Sequence, residues 1–130
     1  MAEEILVKET LSPKMISSGR ALLSRLDAAG WRPSSALWLF DAEQNRWEMI
    51  LASPDVEQRG PRPGYEIVRG ILADARYPAL ALADVSIVPT RNEIVKALSL
   101  AVNVSGGSGV RMSRNAINGR YIEDAYIYRS

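Results

Sequence analysis

After Ser12-Pro13, apolar and small residues recur at helical spacing as Met15, Gly19, Leu22 and Leu26, with Leu23 beside them. Ser12 is a ready N-cap, Pro13 suits the first helical position, and Gly30 suits the left-handed residue past a helix end, so the pattern predicts a helix over residues 13–29. A different rhythm follows. Ala36 to Phe40 and Trp47 to Ala52 are apolar on both alternating faces and are separated by a polar stretch, which predicts a hairpin near the centre of a sheet. Ser53 to Gly64 contains three prolines and two glycines and is expected to be a long surface loop.

Tyr65, Val68, Ile71, Leu72 and Ala75 return to helical spacing and predict a second helix over residues 64–76, followed by a strand over Leu80 to Val88. Thr90-Arg91-Asn92-Glu93 matches a capping box, so a third helix is expected to carry Ile94, Val95, Leu98, Ala101 and Val102. Residues 105–109 form a Ser/Gly connector. It follows a helix and precedes a strand and lacks the Gly-Lys-Ser/Thr of a phosphate loop, so a flexible link is its simplest reading. With Ile5 to Val7 as a short edge strand, the whole is expected to be one domain, residues 1–130, of α+β class. Its element order is (β)αββαβαββ, with three helices on a mostly antiparallel sheet.

Asn118-Gly119 is the strongest hairpin signal in the chain, and a two-residue turn there sets the register of residues 110–129 by counting. Ile117 then faces Arg120, Asn115 faces Ile122, and Arg114 faces Glu123. One face carries Val110, Met112, Arg114 and Ala116 opposite Ile127, Ala125, Glu123 and Tyr121. It is expected to meet the core, with Arg114 and Glu123 as a half-buried structural pair. The other face gathers Arg111, Ser113, Asn115, Arg120, Asp124 and Tyr126 beside Ile117 and Ile122. That face is either the solvated side of an amphipathic hairpin or a site for a polar ligand.

Residues 113–128, Ser-Arg-Asn-Ala-Ile-Asn-Gly-Arg-Tyr-Ile-Glu-Asp-Ala-Tyr-Ile-Tyr, resemble the ending of a family of small uncharacterised bacterial proteins. Trp38-Leu39-Phe40 and Ile50-Leu51-Ala52-Ser53-Pro54 are similar to that family as well. The resemblance implies neither an activity nor a role for any residue.

Composition narrows the chemistry. The chain has no His and no Cys, which closes Ser-His-Asp and Cys-His nucleophile pairs and the usual zinc ligand sets. No metal or other cofactor is expected. Sixteen Lys and Arg against fifteen Asp and Glu leave a net charge of +1, too weak a field to argue for nucleic acid or anionic lipid. No apolar run approaches membrane-spanning length, and the start, Ala2-Glu3-Glu4, lacks the basic and apolar regions of a secretion signal, so the expectation is cytoplasmic.

The sequence names no activity, and the leading expectation is a non-enzymatic binding or adaptor domain that takes a protein or small polar ligand on the Arg111/Asp124/Tyr126 surface or the edge next to it. A homodimer is expected, because the first hairpin is apolar on both faces and three helices on one side would leave tryptophan-sized surface uncovered. The alternative is a magnesium-dependent nuclease or phosphodiesterase using Asp41, Glu48 and Asp84. The placement of Asp41 and Glu48 resembles nucleases of the restriction-endonuclease type, where an Asp and a Glu-x-Lys hold magnesium, but Ile50 stands at the lysine position and leaves the site incomplete. A third reading, an RNA-binding module, would draw on Arg111, Arg114, Arg120 and Arg129 with Tyr121, Tyr126 and Tyr128. Interleaved Glu123 and Asp124 break any single basic stripe.

Overall fold

The computed structural model describes residues 9–74, 76–104 and 109–130. Helix α1 spans Pro13–Ala28, strands β1 and β2 span Ser35–Asp41 and Arg46–Ala52, and helices α2 and α3 span Pro54–Arg59 and Arg62–Leu72. Strand β3 covers Val85–Val88, helix α4 covers Glu93–Ala101, and strands β4 and β5 cover Val110–Ile117 and Arg120–Arg129. The strands form one sheet in the order β3-β2-β1-β5-β4. All neighbours are antiparallel except β2 and β3. The class is α+β, and among the described residues no helix is long and apolar enough to cross a membrane.

Local signals account for most boundaries. Ser12 accepts the Met15 amide, Pro13 occupies the first turn, and Gly30 at φ 86° follows the end of α1. Asn118 and Gly119 stand at φ 48° and 78°, as a type I′ turn requires, and the hairpin register is the counted one, Ile117 with Arg120 and Asn115 with Ile122. The expected strand at residues 5–7 and residues 105–108 of the connector lie outside the described residues.

Three expectations are corrected. Residues 53–64 are not a loop but two helical segments. Ser53 caps α2 by accepting the Asp55 amide, Pro54 and Pro63 sit in first turns where a missing N–H costs nothing, and Gly60 at φ 76° separates the helices. There are therefore four helices among the described residues. The strand expected from residue 80 begins only at Val85, after a 3₁₀ turn at Leu82–Asp84. Because β3 runs parallel to β2, the chain between them must cross back along the sheet, and α2 and α3 supply that connection. Finally, Asn92 caps α4 by accepting the Ile94 and Val95 amides, while Thr90 bonds Glu57 on α2.

Both faces of the sheet are covered. On one, Trp38, Phe40, Trp47, Met49, Leu51 and Tyr128 pack with residues of α1 and α3 and with Trp31. On the other, Leu37, Ile50, Ala52, Ala125 and Ile127 pack with Val95 and Leu98 of α4 and with Val104. The uncovered tryptophan surface expected to drive dimerisation is absent: Trp38 is 0% and Trp47 4% exposed. The short α4, placed opposite the other helices, is what covers the second face.

At the centre of the first face the Trp38 indole donates to the Tyr128 hydroxyl at 2.9 Å, and that hydroxyl donates to the Ile16 carbonyl at 2.7 Å. Gly19 makes room for this chain. A Cβ there would run into the Tyr128 hydroxyl and come within 2.9 Å of the Trp38 ring nitrogen. Burial pushes the Tyr128 phenol above its ordinary pKa.

Trp38→Ala is expected to cost about 3–5 kcal/mol in urea unfolding, and Trp38→Arg to prevent folding rather than change the mass of a folded species. A folded Trp38→Arg protein would refute this packing. Tyr128 contributes stability that is complete below the ordinary tyrosine pKa of about 10 and is lost as pH rises toward the higher folded value. Alkaline unfolding followed by circular dichroism should accordingly be less steep in Tyr128→Phe, although that variant starts less stable by about 1–3 kcal/mol.

Candidate functional site

The hairpin register brings part of the predicted polar face together. Arg111 on β4 makes two bonds to Asp124 on β5, Nε to Oδ1 at 2.6 Å and Nη2 to Oδ2 at 2.7 Å, and Ser113 Oγ donates to Asp124 Oδ1 at 3.0 Å. The Arg111 guanidinium also lies 5.5 Å from the Trp47 ring centroid. Beside this cluster the Tyr126 hydroxyl accepts from Arg20 of α1 at 3.1 Å, and Tyr126 meets Tyr128 edge to face.

Burial decides what this cluster can do. Asp124 is 3% exposed, and its two oxygens are engaged by a fork of N–H donors and a hydroxyl. Its carboxylate holds the Arg111 guanidinium above its usual pKa range against the opposing effect of burial. A carboxylate with both oxygens bonded within the hairpin serves as a structural link between its strands. The cluster ties β4 to β5, and Arg20 with Tyr126 ties β5 to α1.

Asn115 and Arg120 are separated from it. The ladder lapses at Arg114, which stands at φ 52°, and although the register count is unchanged the alternation flips. Met112 and Ile117, an odd number of residues apart, both join the α4-side core, and so do Ile122 and Ala125. Ile117 and Ile122 therefore turn inward rather than joining the polar face, and Arg120 turns to pair with Glu93 of α4. Asn115 is exposed, its amide donating to the Ser113 carbonyl at 3.4 Å.

The expected buried pair Arg114–Glu123 is corrected by the same lapse. Arg114 is exposed, Glu123 is half-buried, and no ion pair joins them among the described residues. A left-handed residue cannot direct its side chain along the regular pleat.

The three carboxylates of the nuclease reading each have a local task. Asp41 accepts the Glu43 and Gln44 amides in the β1–β2 turn, and Glu48 accepts from Ser86 Oγ. Asp84 accepts the Ala81 amide at 2.9 Å and pairs with Arg46 at 3.5 Å. Among the described residues no three acidic side chains gather where they could hold a metal.

An open concavity lies beside Arg120, apart from the Arg111–Asp124 cluster. A groove of about 550 Å³ runs between α4 and the β4–β5 turn, bordered by Arg91, Glu93, Lys96, Leu100 and Arg120. Leu100 is 78% exposed, more than any other large apolar side chain described. The sequence held a signal for it: the stripe of Ile94, Val95 and Leu98 leaves Leu100 off the buried face of α4. What it could not show was that the rotated hairpin tip would stand opposite.

No family model, curated protein or solved structure matches the chain.

Arg111→Ala is expected to destabilise the protein by about 2–3 kcal/mol, less than the 3–5 of a fully buried pair because the arginine is half in water. Arg114→Ala is expected to change stability by less than about 0.5 kcal/mol, as for a solvated surface side chain. Urea midpoints for the two variants check both figures. A loss at Arg114 equal to that at Arg111 would contradict the assignment.

Proposed function

We propose that this chain is a non-enzymatic binding domain whose docking surface is the groove between α4 and the β4–β5 turn. The observation that carries the proposal is the contrast between that groove and the carboxylates of the sheet and its turns. Asp124, Asp41, Glu48 and Asp84, the carboxylates considered for a ligand or for catalysis, are engaged in bonds that hold the fold together. The groove instead combines three cationic side chains with a leucine held in water. Exposed apolar area rimmed by charge is the ordinary signature of a docking surface.

Self-association belongs to the same proposal through a different surface. Among the described residues strand β4 lies at the sheet edge with one side unpaired, and two copies would close by two-fold pairing of that edge. Light scattering tests it: a mass near twice 14.3 kDa supports the dimer, and a mass of 14.3 kDa removes it.

For the groove, the expected outcome is that immobilised protein retains partners from a cell lysate and that Lys96→Glu or Leu100→Ser loses them, while Arg62→Glu, on α3, retains them. Equal retention by all variants would overturn the assignment. Magnesium-dependent cleavage of a phosphodiester that disappears in Glu48→Gln would replace it with the nuclease reading.

A further inference from the structure

Resting on the docking reading, we infer that the occupant of this groove is an acidic peptide segment carrying an aliphatic side chain. Charge complementarity argues for it first. Arg91, Lys96 and Arg120 border the groove against one acid, Glu93, and Glu93 is already paired with Arg120. Among the described residues Lys96 and Arg91 take part in no ion pair. Arg91 does lie in the field of Glu57, whose carboxylate is held by Thr90. A surplus of positive charge therefore faces the groove in a chain whose net charge is only +1.

The spacing then says how such a segment would lie. Glu93, Lys96 and Leu100 follow one another at three and four residues and so share one face of α4. From Glu93 to Leu100 the helix rises about 10 Å, which three residues of extended chain would span. Carboxylates at one end would meet Lys96, Arg91 and Arg120, and an aliphatic side chain about three residues away would cover Leu100. Among the described residues no aromatic side chain borders the groove, so they offer no stacking surface of the kind single-stranded nucleic acid uses.

The test is fluorescence anisotropy of the full chain with a labelled peptide containing Glu-Glu-x-Leu, alongside the same peptide with Gln for Glu, the same with Ser for Leu, and a single-stranded RNA. Binding of the parent peptide is expected, weakened roughly tenfold or more by Lys96→Glu and by Leu100→Ser, by each peptide change, and by raised salt. Leu100 and Lys96 are exposed, so both variants should retain the parent circular dichroism spectrum. Binding that ignores the groove variants, absence of binding, or preference for the RNA would overturn the inference. If the peptide fails while Lys96→Glu still abolishes capture of a lysate partner, the peptide chemistry falls and the docking reading stands. If capture is unaffected as well, both fall.

Discussion

Strand β1 lies in the middle of the sheet with apolar side chains on both faces, and this requires two layers of cover. Leu37 points one way while Ala36, Trp38 and Phe40 point the other, and Ile50 and Met49 on β2 divide similarly. Burying such strands is worth far more than any surface contact in the chain, at roughly 25 cal/mol per Å² of apolar area. Helices α1 and α3 close the face that holds the tryptophans. That leaves α4 to close the other. The chain from Trp38 through Tyr128 to the Ile16 carbonyl fixes how closely α1 approaches, with Gly19 as the point of contact.

The same arrangement exposes the far end of the C-terminal hairpin. Pairing between β1 and β5 stops at Leu39 with Ala125, so residues 120–124 run past the last pair with β1. Arg114 then breaks the alternation, and the tip rotates until Ile117 and Ile122 reach the α4-side core. Rotation divides one polar face into two sets with different fates. Arg111 and Ser113, both in contact with water, close on the buried carboxylate of Asp124. Arg120 swings to Glu93 and becomes one bank of an open groove. Desolvation explains the difference: a carboxylate nearly out of water must be satisfied by the protein, whereas a half-exposed arginine need not be.

Much of the architecture was legible because its causes are local. The Ser12-Pro13 start and the Asn118-Gly119 turn depend on backbone dihedrals and hydrogen bonds within a few residues, and so does the counted register of the last hairpin. Ser53-Pro54 carries the same helix-start chemistry as Ser12-Pro13, but the density of proline and glycine around it masked the signal. At Thr90 and Asn92 two potential caps stood two residues apart. The choice fell to Asn92 once Thr90 found Glu57, thirty-three residues away, as its partner.

By itself, then, the sequence determined the α+β class, the position of most helices and strands, the hairpin pairing and the absence of histidine and thiol chemistry. Only the tertiary structure decided that the helices flank both faces of the sheet, that β3 runs parallel to β2, that Asp124 is buried and Arg114 is not, and that Leu100 faces Arg120 across a groove. The reason is one of range. Caps and turns are settled by energies acting within one or two turns of chain, whereas burial and side-chain partnership depend on which distant segments compete for the same apolar surface.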